Sequence, residues 1–173
     1  RIYTPHEPAV GELMPIIVFY HGGGFVIGSL DSYDSLARVF ANMVDCIVVS
    51  VDYRLAPEYK CPAAVDDGLE AYQWISDNAG DLGGDARRMA IVGDSAGGNV
   101  TAVTAIGIRE EGDIPPLLQV LIYPVVGGAP ETRSHHEFAE GYMLTRADIL
   151  WFYDCYLNHA EDATDPRFAP LLE

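Results

Sequence analysis

The sequence predicts an α/β fold, a mostly parallel sheet with helices on both faces. Two observations carry this. Short apolar runs alternate with amphipathic stretches, and the apolar runs are almost continuous rather than alternately polar and apolar. A strand that is apolar on both sides must be covered on both sides, the situation of a parallel strand whose crossovers are helices. With 173 residues and 49% of them hydrophobic, the chain is large and apolar enough to bury a core, which excludes a disordered chain.

Ile16–Tyr20 is the first buried-strand candidate. Tyr33–Val44 spaces its apolar residues near the helical period, and Cys46–Val51 (CIVVSV) has the β-branched content of a strand. Ala63–Asn78 is helical, with Val65, Leu69, Tyr72 and Ile75 on one stripe. Met89–Val92 is a third strand, Gly98–Arg109 a third helix, and Leu118–Tyr123 a fourth strand ended by Pro124. The pattern then changes: residues 127–147 are polar and turn-rich, Arg146–Leu157 is a helix, and prolines at 166 and 170 break the tail.

The charge balance narrows the partners. Ten Lys and Arg against 26 Asp and Glu give a net charge of -16, which opposes nucleic acid and anionic membrane surfaces, since both select positive proteins. No apolar run reaches membrane-spanning length and no signal-peptide pattern opens the chain, so a cytoplasmic location is expected. Cys46, Cys61 and Cys155 are scattered and odd in number, which suggests neither a disulfide framework nor a zinc knuckle.

Gly93-Asp94-Ser95-Ala96-Gly97 matches G-x-S-x-G, with a strand running in and a small-residue helix running out. That is the setting of a nucleophile elbow, a turn so tight that its flanking positions must be nearly free of side chains. It holds a serine at a helix N-terminus, whose dipole favours an oxyanion. The bland alternative is an ordinary glycine-rich turn. A second glycine cluster, His21-Gly22-Gly23-Gly24-Phe25, follows the first strand. An acyl-transfer serine needs backbone N–H donors for the oxygen that becomes negative. Ala96, next after the serine, would supply one, and Gly23 and Gly24 are the best candidates for the other source.

Competing motifs fail on spacing. Gly23 and Gly28 have Walker spacing, but Ser29-Leu30 follows where Lys and Ser/Thr are needed, and Ile27 breaks the dinucleotide pattern begun by Gly22 and Gly24. His136-Glu137 opens a zincin-like motif that Glu140 ends in place of the second His, leaving a solvated loop as the better reading. Asn99-Val100-Thr101 fits the glycosylation pattern by chance, because it lies in the first turns after the elbow.

HGGGF at 21–25, DYRLAPE at 52–58, PAAVDD at 62–67, GDSAGGN at 93–99 and LIYPV at 121–125 occur together and in order. In this the chain resembles the hormone-sensitive-lipase-like (family IV) carboxylesterases of the α/β-hydrolase superfamily. Cys61 departs from that pattern, which more often has phenylalanine there. The resemblance implies a partial α/β-hydrolase fold and hydrolysis of small or medium apolar acyl esters, with neither metal nor organic cofactor. It makes Ser95 the nucleophile and Gly23, Gly24 and Ala96 the oxyanion donors. It divides the chain into a hydrolase core over 1–126, a cap-like helical insertion over 127–160 and a return segment over 161–173. Phe138, Met143 and Trp151 would line an acyl site or simply pack the cap.

A serine nucleophile also needs a general base and an orienting carboxylate, in this fold in the order Ser, Asp or Glu, His. Only His135, His136 and His159 follow Ser95, all in the cap-like region, and Asp148 and Asp154 are poorly placed to serve His159. The resemblance puts the acid and the histidine beyond Glu173, so the sequence reads as truncated at both ends, without the last strands of the sheet. This carries three expectations: an inactive chain when alone, an exposed edge at 118–123, and self-association or aggregation through it. A non-catalytic small-ligand receptor on the same fold, as in plant gibberellin receptors, and an amidase or thioesterase are the alternatives.

Overall fold

A computed structural model of the chain describes residues 1–9, 11–128 and 131–172. The stretches 127–147 and 161–173 therefore include positions (129, 130 and 173) that lie outside the described residues. The sheet comprises β1 (Ile2–Tyr3), β2 (Met14–Tyr20), β3 (Ile47–Val51), β4 (Gly84–Asp94) and β5 (Leu118–Ile122), in spatial order β1-β3-β2-β4-β5. From β3 to β5 all pairings are parallel, as expected, whereas β1 pairs antiparallel with β3. The helices are α1 (Asp34–Val44), α2 (Ala63–Asp77), α3 (Ala96–Glu111), α4 (Arg133–Glu137) and α5 (Arg146–Tyr156), followed by short 3-10 turns at Ala160–Thr164 and Pro170–Leu172.

The order of the strands places the helices. The connection from β2 through α1 to β3 runs one way across the sheet, and those through α2 to β4 and α3 to β5 run the other way. Right-handed crossovers then put α1 on one face and α2 and α3 on the opposite one. The side chains sort accordingly. Ile17, Phe19 and Val48 meet Ala37 and Ala41 of α1. Ile16, Val18, Tyr20, Ile47 and Ile91 meet Val65, Ile75, Val100 and Ile108 of α2 and α3. The reversal falls between β2 and β4, where Tyr20 lies opposite Gly93. In open α/β sheets, the crevice outside the carboxyl ends of the strands at such a reversal is where ligands bind.

Several boundaries differ from expectation for physical reasons. β4 starts at Gly84, not Met89, because Met14 pairs with Gly84 ahead of a register shift. α3 starts at Ala96, not Gly98: tight packing overrides the poor helix propensity of Gly97 and Gly98. The polar stretch contains α4, with Arg133 paired to Glu137 at 2.6 Å. α5 starts in a capping box, in which Thr145 Oγ1 accepts from the Asp148 N–H and Asp148 Oδ2 accepts from the Thr145 N–H.

Among the described residues β5 has β4 as its only neighbour, and Leu118, Leu121 and Tyr123 are exposed beside it. No helix among them is long and apolar enough to cross a membrane.

Candidate active site

Ser95 sits where β4 ends and α3 begins, with φ +54° and ψ −117°. A side chain rarely tolerates this region, and holding one there costs about 1–3 kcal/mol. The neighbours impose it. The Ser95 N–H donates to the Ile122 carbonyl at 2.9 Å, and the Val125 N–H donates to the Ser95 carbonyl at 3.1 Å. The turn is closed so tightly that a Cβ on Gly93 would lie 2.1 Å from the Gly97 carbonyl oxygen, and one on Gly97 would lie 2.0 Å from the Tyr20 carbonyl oxygen. The second contact is with the end of β2, so the start of α3 rests against the strand that leads into the glycine loop.

In that loop Gly23 has φ +122° and Gly24 has φ +61°, and the Val26 and Ile27 N–H groups both donate to the Gly23 carbonyl. Among the described residues no acceptor takes the N–H of Gly23 or Gly24. Asp94 ties the loop to the elbow. Its Oδ1 accepts from the Gly22 N–H at 2.9 Å and its Oδ2 accepts from the Tyr33 hydroxyl at 2.9 Å. A Cβ on Gly22 would fall 2.3 Å from the same carboxylate. The two segments that carry Gly23, Gly24, Ser95 and Ala96 are thus in contact through Asp94 and Gly97.

His21 shapes the loop from beneath. It is buried, stacked on Tyr53 with ring centroids 4.4 Å apart, and its Nδ1 lies 2.8 Å from the Gly22 carbonyl. Burial pushes its pKa below the ordinary value, so the neutral ring donates from Nδ1. Burial, and then the bond to Asp94, pushes the Tyr33 phenol up to about 12, which keeps it a donor.

The remaining sequence candidates lie elsewhere. His135 is bonded to Thr132, His136 faces Glu131 at 3.4 Å, and the His159 N–H caps onto Asp162. Among the described residues, no histidine is hydrogen-bonded to Ser95. Asn99 is buried, and its Nδ2 donates to the carbonyls of Val125 and Phe168 at 2.7 Å each, which removes it as a glycan acceptor. Met143 is fully exposed and Trp151 is 53% exposed. The α5 ring that meets the glycine loop is instead Phe152: a Cβ on Gly24 would lie 2.4 Å from it. Asp94, Tyr33 and Phe152 were not singled out by sequence reasoning. Only Asp94 carried a signal, as the residue directly before the serine.

The sequence of residues 17–173 matches the family described as alpha/beta hydrolase fold. The chain belongs to that family. Within it, this α/β-hydrolase is 44% identical to Carboxylic ester hydrolase LipN of Mycobacterium tuberculosis, over 96% of this chain and 46% of that protein. Its structure superposes on the hyperthermophilic esterase of the archaeon Pyrobaculum calidifontis with a TM-score of 0.94 and 44% identity, over 99% of this chain and 56% of the other. The Gibberellin receptor GID1 of Oryza sativa subsp. japonica is 38% identical, over 95% of this chain and 48% of the receptor. The chain spans about half the length of the curated relatives it matches. Its resemblance is to the carboxylester hydrolases of the family.

Proposed function

We propose that this chain carries the nucleophile and the oxyanion hole of a serine carboxylesterase acting on short- to medium-chain, largely apolar acyl esters. The observation that carries the reading is Ser95 held at φ +54° after the end of β4, flanked by Asp94, which bonds the glycine loop, and Gly97, which lies against the end of β2. Ser95 Oγ attacks the ester carbonyl carbon and passes its proton to a general base. The N–H groups of Gly23, Gly24 and Ala96 hold the oxygen that becomes negative, and α3 directs the positive end of its dipole at it. The carbon–alkoxide bond then breaks, the base protonates the departing alcohol, and water releases the acyl group from Ser95.

Among the described residues no histidine is hydrogen-bonded to Ser95, and none is assigned as the base. Residues 127–160 act as a cap over the site. The 173 residues alone retain only what the hole and substrate binding provide.

Hydrolysis of 4-nitrophenyl acetate and butyrate, with fluorophosphonate labelling, tests this on the 173-residue chain and on the longest natural chain containing it. The longer chain is expected to turn over and label at Ser95, both abolished by Ser95→Ala, and the shorter chain to be nearly inert. Full turnover by the shorter chain would overturn the missing base. A longer chain that binds small ligands but never labels at Ser95 would favour a receptor, the second reading, which rests on the similarity to the rice protein. Faster cleavage of amides or thioesters than of esters would change the substrate class.

A further inference from the structure

The segment between β3 and α2 has no part in the chemistry proposed above, yet it grips the end of α5. Lys60 Nζ donates to the carbonyls of Asp154 at 2.9 Å and Leu157 at 2.8 Å. These belong to the last turn of α5, where carbonyls lack helical partners and the dipole is negative. The neighbouring backbone adds to the grip. The Cys61 N–H donates to the Tyr156 carbonyl and Asn158 Nδ2 donates to the Cys61 carbonyl, each at 2.8 Å. The Tyr156 ring stacks on Phe25 at 4.0 Å, directly after the glycine loop. One turn back along α5, Phe152 lies against Gly24.

We propose that Lys60 is a positioning residue: its ammonium fixes the C-terminal end of α5, and so holds the Phe152 ring over Gly24 as the ceiling of the site. The size of ester admitted beside the hole then depends on a cation remote from the chemistry in sequence. The substrate part of this inference rests on the esterase reading; the mechanical part does not.

Two arms separate them. In the 173-residue chain, Lys60→Met keeps the apolar stem and removes the ammonium, and Lys60→Arg keeps a cation. Hydrogen exchange of the amides at 149–157 is expected to speed up by about 10-fold in Lys60→Met with α3 unchanged, and to be largely restored in Lys60→Arg. Unchanged exchange, or an equal rise in α3, overturns the proposal. In the longest natural chain, Lys60→Met and Phe152→Ala are both expected to lower the ratio of acetate to hexanoate kcat/KM by about 3-fold or more. A shift in Phe152→Ala without one in Lys60→Met overturns the link from Lys60 to the ceiling. Absence of any Ser95-dependent hydrolysis defeats the esterase reading, and the exchange arm still decides whether Lys60 holds α5.

Discussion

Replacing Asp94 should reveal how firmly the glycine loop is held to the elbow. Its carboxylate accepts from the Gly22 N–H and the Tyr33 hydroxyl, both at 2.9 Å. A hydrogen bond to a charged group contributes about 1.5–3 kcal/mol net, against about 0.5–1.5 for a neutral pair. Asp94→Ala loses both, but two features soften the loss. The Gly22 N–H keeps the Tyr33 hydroxyl at 3.2 Å as a weaker acceptor, and Tyr33 is partly open to water. The expected loss is therefore about 2–4 kcal/mol. Asp94→Asn retains an oxygen for Gly22 and an amide that Tyr33 can accept from, so it should lose only about 1 kcal/mol. Tyr33→Phe should lose a similar amount, and the Asp94→Asn/Tyr33→Phe pair should be non-additive because both act on one bond. Urea unfolding followed by tryptophan fluorescence measures all four. If Asp94→Ala costs no more than Asp94→Asn, or the pair is strictly additive, the carboxylate is not the clamp argued here. In a catalytically complete protein, the same series should lower kcat more than it raises KM, since a loosened donor weakens transition-state binding.

Other perturbations test the close approaches and the titrating groups. Gly97→Ala places a Cβ 2.0 Å from the Tyr20 carbonyl oxygen in a paired strand and should destabilise by about 3 kcal/mol or more, whereas Gly80→Ala meets nothing within 4 Å and should stay within about 0.5 kcal/mol; equal urea midpoints would refute the packing argument. Burial chiefly raises the Cys46 and Cys61 thiols from 9.0 to about 11 and the Tyr72 phenol from 10.0 to about 12, and Tyr33 rises likewise. The folded chain holds these protons more tightly than the unfolded one, so their contribution is complete below the ordinary values and drains as pH rises through about 11–12. Melting temperature should fall steadily over that alkaline range, and a flat profile would count against it. The exposed edge at β5 should make the 173-residue chain self-associate on concentration in analytical ultracentrifugation, less so with Leu121→Lys; a monomer at every concentration would contradict this.

Much of the core was legible in the sequence because the signals were local. Val48 and Val49 announce a strand by β-branching, and Val65, Tyr72 and Ile75 a helix by spacing. β1 was not legible: a two-residue strand has no period, and its pairing with β3 is decided by tertiary contact. The site divides the same way. Ser95 and the glycines stand in recognisable local patterns. The pairing of Gly22 with Asp94 and the approach of Phe152 to Gly24 join residues far apart in sequence, and no single-chain periodicity encodes either.

The end of β5 supports the strained backbone of Ser95. Ser95 is held at positive φ by its N–H donating to the Ile122 carbonyl and its carbonyl accepting from the Val125 N–H, and the same carbonyl also accepts from the Asn99 N–H of α3 at 3.2 Å. Ile122 ends β5 and Val125 follows it by three residues, and β5, like β1, is an edge strand among the described residues. If β5 frays, the Ser95 peptide loses the bonds to Ile122 and Val125 and keeps the one from Asn99, and the roughly 1–3 kcal/mol of strain favours relaxation toward ordinary backbone angles. The glycine loop depends less on β5: it leans on β2, which is paired on both sides, and on Asp94, whose own strand partner is Ile122. A partner covering the outer edge of β5 would therefore act on Ser95 by holding Ile122 in register, and on the glycine loop only through Asp94.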